Sequence, residues 1–89
     1  KGTIETAYTI LNGEFEVIEA EIIDSSELIN KELKNSNLPD EIRIGAVLRK
    51  NDIIIPTSKF IFEKKDIVVF LAKRDQLSLV ERLFQISSI

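Results

Sequence analysis

Residues 43–71 read RIGAVLRKNDIIIPTSKFIFEKKDIVVFL, and this stretch decides the fold. It predicts three strands, at residues 42–49, 53–55 and 67–72. In the first strand, one set of alternate positions holds Ile42, Ile44, Ala46 and Leu48. The other set holds Arg43, Gly45, Val47 and Arg49. The alternation predicts one apolar face and an opposite face with two guanidinium groups, which favours a polar ligand or partner.

The links between these strands indicate how they pair. The turn at residues 50–52 is short, so the strands that it joins are predicted to be antiparallel. Pro56 has no N–H to donate and marks the end of the second strand. Phe60 and Phe62 are expected to anchor the loop at residues 57–66. Residues 67–72 are apolar throughout, which predicts a central strand covered on both faces.

The N-terminal part predicts one further strand and a short helix. Residues 1–13 have a weak helical period and are interpreted as the tail of a preceding helix or a linker. In the strand that follows, the alternation slips between Val17 and Ile18, which predicts a β-bulge. Asp24 and Glu27 have capping-box spacing, so a helix is expected to start there and end near residues 35–37. Its inward-facing residues would be Leu28, Ile29 and Leu33.

The C-terminal segment predicts a second helix, with Asp75 as its N-cap and its end near Ile86. Its apolar stripe is wide, and the edge around Leu79 and Leu83 is expected to face a second protomer. The fold class is therefore α+β: a small single domain at residues 14–89, with about four strands and two helices in the order β-α-β-β-β-α.

Composition excludes several classes of function. The 89-residue chain has a net charge of −3 and a sequence pI near 4.9, so it is not expected to bind nucleic acid. It contains neither Cys nor His, which removes disulfides, the usual zinc sites and catalytic Ser-His or Cys-His pairs. No apolar run is long enough to cross a bilayer, so we expect a soluble domain without direct membrane insertion. Because Met is absent, we interpret the chain as a piece of a longer protein.

The order and spacing of these segments resemble the C-terminal domain of TrkA-type regulators of potassium conductance over residues 14–85. The resemblance rests on Ile44-x-Ala46-Val47-x-Arg49, on Pro56, and on Phe62-Glu63-x-x-Asp66-x-Val68-x-Phe70. Two positions depart from the family pattern, because Asn30 and Lys65 stand where the family usually has Gly. Asn enters the left-handed region more readily than Lys, so the change at Lys65 is the harsher one.

The resemblance implies a compact regulatory domain that forms a homodimer. In this family the dimer couples nucleotide-binding domains to a membrane-embedded potassium channel or transporter. Some members bind a small ligand, including cyclic di-AMP, at the dimer interface. The Rossmann glycine fingerprint is absent from this chain, so no NAD-type cofactor is predicted.

The candidate ligand-binding residues are Arg43, Arg49, Ile53, Ile55 and Pro56. The two arginines are about 20 Å apart along a strand, so they would act on one ligand only across a two-fold axis. Arg suits a phosphate because its planar fork donates two hydrogen bonds. The simpler interpretation is that both are ordinary surface cations. A basic group that flanks the last strand favours solubility over an anion or acidic-partner site: Lys59, Lys64, Lys65, Lys73 and Arg74.

Three functions follow for testing. The leading one is a cytoplasmic regulatory and dimerisation domain of a potassium-uptake protein, without catalysis or metal. The second is a standalone sensor of a small anionic ligand such as a cyclic dinucleotide. The third is a small enzyme that uses the carboxylates of the alternating stretch at Glu14, Glu16, Glu19 and Glu21, which are better explained as a solvated strand face.

Overall fold

The computed structural model describes the backbone of residues 4–84 and the side-chain environments of residues 8–84. Five antiparallel strands form one sheet in the order β1-β2-β5-β3-β4. The strands are β1 Ile4–Ile10, β2 Phe15–Glu21, β3 Ile42–Arg49, β4 Asp52–Ile54 and β5 Ile67–Lys73. One α-helix follows, α1 Leu77–Phe84, and three short 3₁₀ turns lie at Leu11–Gly13, Leu33–Asn35 and Arg74–Gln76. The α+β class and the central place of β5 are confirmed.

The predicted helix tail before residue 13 is wrong for residues 4–10, which form β1. This strand pairs antiparallel with β2, with Tyr8 opposite Val17 and Ile10 opposite Phe15. The segment is rich in residues that favour strands, and pairing along the free edge of β2 outweighs a weak helical period. The sheet therefore has five strands rather than about four.

A β-bulge in β3 reverses the predicted assignment of its faces. The register against β5 shifts between Ile44 and Ala46, at Gly45. After the shift Val47 lies in the core, whereas Ala46 and Leu48 point to the other side of the sheet. One extra residue in a strand moves every following side chain to the opposite face. The predicted face with two guanidinium groups is consequently wrong.

Strand β2 has no bulge where one was predicted. It pairs with β5 without a register shift from Phe15, opposite Lys73, to Glu21, opposite Ile67. Ile18 is buried in the core, whereas Val17 lies on the other face. The apparent slip in the alternation arises because both faces of β2 carry apolar side chains.

The short helix predicted after Asp24 is also wrong, although its expected burial is confirmed in part. Leu28 is fully buried, and Ile29 and Leu33 pack against the core. Asn30 has a φ of 64°, which ends any helical path. Its N–H donates to the carbonyl of Phe62, and the N–H of Leu33 donates to that of Phe60. The loop at residues 57–62 thus takes the hydrogen bonds that a helix would have needed.

The core lies on one face of the sheet, which we call the covered face. Phe70 of β5 stacks on Phe84 of α1, with ring centroids 4.8 Å apart and planes 4° from parallel. Phe62 and Leu28 bring the two long loops onto the same side, and both are fully buried. Leu83 is also buried in this core and the half-buried Leu79 packs against it, so both residues of the helix edge predicted to face a second protomer contact the core of their own chain.

The other side of the sheet, which we call the open face, is also apolar. Its members come from all five strands: Tyr8, Ile10, Phe15, Val17, Ala46, Leu48, Ile53, Ile67, Val69 and Leu71. None of them belongs to the core cluster or to the residues packed against it. The described helix and the two long loops all contribute to the covered face instead. The predicted second cover over β5 is therefore not supplied by the part of the chain that the structure describes.

Helix α1 is confirmed, but its start differs from the predicted one. The 3₁₀ turn at Arg74–Gln76 leads into it, and the extended residue before that turn is Lys73. Asp75 lies inside the turn, where its carboxylate accepts a hydrogen bond from Gln76. The predicted helix end at Ile86 lies outside the described residues.

Candidate functional site

The strongest polar cluster in the structure forms where β3 ends beside the start of β5. Arg49 points to the covered side because of the bulge at Gly45. Its Nε donates to Oδ1 of Asp66 and its Nη2 donates to Oδ2, both at 2.8 Å. This is a bidentate charge-assisted pair, the strongest form of side-chain hydrogen bonding available to Arg.

Asp66 is held in place by its own backbone turn. Its side chain is 1% exposed, and its Oδ2 also accepts the N–H of Glu63 at 2.8 Å. The N–H of Asp66 in turn donates to the carbonyl of Glu63 at 3.2 Å. Lys65 completes this turn with a φ of 76°. At this position the sequence analysis identified the harsher of the two departures from Gly. These hydrogen bonds of the turn hold the buried carboxylate in position beside the Arg49 guanidinium.

Three further contacts surround the Arg49 guanidinium. Its Nη1 lies 3.2 Å from the Glu63 carboxylate, and its Nη2 donates to the carbonyl of Ile61 at 2.9 Å. Its central carbon is 4.9 Å from the centroid of the Phe60 ring, a distance typical of a cation–π contact. The hydrogen bond to Asp66 raises the pKa of Arg49 above its ordinary value, so the group stays charged.

The structure does not bring the five predicted site residues together. Arg43 lies near the opposite end of β3 from Arg49 and on the open face. Its side chain is 71% exposed and is 4.0 Å from Asp40, a weak surface pair. Ile53 and Ile55 are 77% and 72% exposed at the β4 edge, beside the half-buried Pro56.

The chemistry of the cluster is that of a structural clamp. Both donor edges of Arg49 are occupied by carboxylates, so an anion would have to displace Asp66 or Glu63 to bind there. The sequence analysis identified Arg49 and Asp66 as positions of the family pattern, but it did not predict that they pair. The pairing follows from burial, because a carboxylate that is buried on folding needs a cationic partner.

Other kinds of site find little support in the described residues. Among residues 4–84, no group of three or more acidic side chains is arranged to hold a metal ion. Glu16 and Glu19 of β2 lie on opposite faces of an unbroken strand, so they do not converge on one substrate. No helix in this part of the chain is long and apolar enough to span a membrane.

Comparison with known sequences gives a family match. The sequence model of the TrkA-C domain matches residues 17–85. The chain is 34% identical over 87 residues to the Trk system potassium uptake protein TrkA of Azorhizobium caulinodans, covering 98% of this chain and 19% of that protein. It is 34% identical over 92 residues to the protein of the same name from Haemophilus influenzae, covering 99% and 20%. A TrkA homolog from Archaeoglobus fulgidus is 31% identical over 64 residues, covering 72% and 15%.

In this chain, the segments that match the family fold into a small antiparallel sheet with its core on one face. The Arg49–Asp66 clamp joins the end of β3 to the start of β5. The chain belongs to the TrkA-C domain family, and the resemblance inferred from its sequence is confirmed. It spans about a fifth of the length of the first two curated relatives described above.

Proposed function

We propose that this chain is a regulatory domain of a potassium-uptake protein, located in the cytoplasm and acting without catalysis. The observation that carries the proposal is the match over nearly the whole chain to proteins named for potassium uptake. We place the regulatory domain at residues 14–89. In this proposal the preceding segment belongs to the link with the rest of the protein, although β1 within it pairs with β2.

The Arg49 clamp supports a regulatory role because it couples two parts of the sheet. It joins the end of β3 to the turn before β5 through two hydrogen bonds to a buried carboxylate. Movements of the β4 edge would therefore be passed to the centre of the sheet. The proposed partners are a second copy of the chain and a membrane-embedded potassium transporter subunit.

A chimera tests this function directly. The matched segment of the Haemophilus influenzae TrkA is replaced by this chain, and potassium uptake is measured in cells that lack their own TrkA. We expect growth on low potassium to be restored. A control chimera carries an unrelated α+β domain of equal length. Growth no better than that of the control, at equal protein abundance, would contradict the proposal.

A second candidate function is the sensing of a small anionic ligand such as cyclic di-AMP, for which the exposed apolar edge of β4 is the supporting observation. Ile53, Ile55 and Pro56 offer surface to the bases of such a ligand. Arg43 would supply the cation more readily than Arg49, which is bound to two carboxylates. Calorimetric titration with cyclic di-AMP tests this site. We expect Arg43→Ala and Ile55→Ala to weaken binding, and the absence of heat at millimolar ligand would rule it out.

A further inference from the structure

The turn between β1 and β2 has an unusual backbone. Its residues Leu11, Asn12 and Gly13 all have positive φ, at 52°, 58° and 87°. A left-handed backbone is unfavourable for a non-Gly residue, and more so for Leu than for Asn. Leu11 is also 64% exposed, so packing of its side chain does little to offset this strain. Strain that local contacts do not explain points to a functional role for the turn.

Asn12 and Gly13 form the one Asn-Gly pair of the chain, since none of the other Asn residues precedes a Gly. Asn12 is exposed to solvent. In such a pair the backbone nitrogen of the second residue can close a ring on the side-chain amide carbon of the first. A side chain on the second residue hinders this approach, and Gly13 has none. The pair is therefore reactive in water.

We propose that Asn12 is a site of spontaneous covalent modification, at which loss of ammonia and addition of water give aspartate and isoaspartate. The Gly13 nitrogen forms a bond to Cγ of Asn12, and the side-chain nitrogen leaves as ammonia with the proton of the Gly13 amide. Water then opens the cyclic imide. Breaking the bond between nitrogen and Cγ gives aspartate. Breaking the bond between nitrogen and the backbone carbonyl carbon gives isoaspartate, in which the chain continues through Cγ.

The isoaspartyl product changes the length of the turn, because it adds a carbon atom to the backbone between residues 12 and 13. In the unmodified turn the N–H of Glu14 donates to the carbonyl of Leu11 at 3.1 Å. This turn sets Ile10 opposite Phe15. Loop length and turn geometry fix the register of a hairpin. The longer turn therefore disturbs the pairing of β1 with β2, starting at Ile10.

Strand β1 is the element that such a change can release. It lies at an edge of the sheet and pairs only with β2. Its residues Tyr8 and Ile10 are 63% and 37% exposed, and neither packs against the core cluster. The isoaspartyl form thus has β1 detached from a sheet that is otherwise folded. The aspartate form keeps the turn, because Asp tolerates a left-handed backbone as Asn does.

Peptide mass spectrometry after incubation of the folded chain in mildly alkaline buffer tests the reaction. Asn37 is the matched control within the same molecule, because it is also exposed with a φ of 58° but precedes Leu38. We expect Asn12 to be converted at least about 10-fold faster than Asn37, a barrier difference of about 1.4 kcal/mol. An isoaspartate-specific methyltransferase should label the unmodified sequence and not Asn12→Gln. Equal rates at the two sites, or conversion of Asn12 only in urea, would overturn the proposal.

Hydrogen exchange tests the effect on β1. The isoaspartyl form is first separated by chromatography from the unmodified chain and from the aspartate form. We expect its β1 amides to lose protection while the β5 amides keep theirs. The control is Asn12→Asp, which carries the same charge on a backbone of normal length and should keep β1 protected. Retained protection in the isoaspartyl form, or equal loss in Asn12→Asp, would overturn the detachment of β1. Neither readout involves potassium uptake, so both are independent of the proposed function.

Discussion

The two faces of the sheet have similar chemistry and different surroundings. Along β5, Val68 and Phe70 are buried under α1 and the long loops. Their immediate neighbours Val69 and Leu71 are equally apolar but only half-buried, because no described element lies over them. An apolar strand thus indicates that both of its faces become covered. It does not indicate whether both covering layers come from the same chain. The substitutions below separate the faces by their effects on stability, measured at low micromolar concentration.

Deletion of Gly45 should have the largest effect, because its bulge sets the faces of β3. Without it Val47 would turn to the open face and Arg49 would leave Asp66. The combined loss, about 5 kcal/mol or more, is comparable to the total stability of a small domain. We expect circular dichroism to show an unfolded chain.

The control for this deletion is Gly45→Ala. An added Cβ would be 3.6 Å from the Val69 carbonyl oxygen, an ordinary contact. We expect its free energy of unfolding to stay within about 0.5 kcal/mol of the original. A folded deletion variant of similar stability would show that the bulge does not fix the faces.

Adjacent residues of β5 provide the next comparison. Phe70→Ala removes the ring that stacks on Phe84 and should lower the free energy of unfolding by about 3–5 kcal/mol. Leu71→Ala acts on the open face and should cost less than about 1 kcal/mol in the monomer. Urea denaturation measures both. Equal losses would mean that the open face is already covered within one chain.

The two arginines of β3 offer a smaller contrast. Arg49→Ala leaves Asp66 buried without its cation and should cost about 2–3 kcal/mol, below the usual range for buried pairs because Arg49 is 27% exposed. Arg43→Ala should change stability by less than about 0.5 kcal/mol. In a double-mutant cycle, adding Asp66→Ala to Arg49→Ala should cost less than the sum of the single changes. Additive losses would contradict the clamp.

The last contrast, with a smaller main effect than the others, concerns the turn before β5. Lys65 has a left-handed backbone, which costs a non-Gly residue about 1–2 kcal/mol. After allowing for the greater flexibility of Gly when unfolded, we expect Lys65→Gly to raise stability by about 0.5–1 kcal/mol. Lys64 is not among the residues with positive φ, so Lys64→Gly should lower stability. A loss in both variants would show that the turn is not strained.

Much of the fold was predictable from the sequence because its apolar pattern is strong. The β3–β4 hairpin, the end of β4 near Pro56, the central place of β5 and the burial of Phe62 all follow from local signals. The prediction of the β-bulge was wrong for two strands: a bulge was predicted in β2, which has none against β5, and none was predicted in β3, which has one. The cause is the open face: where both sides of a strand are apolar, alternation no longer identifies the buried side.

The remaining failures concern contacts between distant segments. The helix predicted after Asp24 does not form, because backbone N–H groups of this segment donate to the loop at residues 57–62 instead. No local sequence pattern indicates these long-range hydrogen bonds. At the candidate site, Arg49 and Asp66 were recognised as family positions, but their pairing depends on the bulge at Gly45. Ligand binding by the five candidate residues stays a prediction.

The most direct test of the contrast between the faces is the melting temperature as a function of protein concentration. If the open face is buried between two copies, association stabilises the native state by mass action. We expect the melting temperature of the unmodified chain to rise from 1 to about 300 µM, and that of Leu71→Lys to stay constant at the low-concentration value. A melting temperature of the unmodified chain that does not change over this range would contradict burial of the open face between two copies.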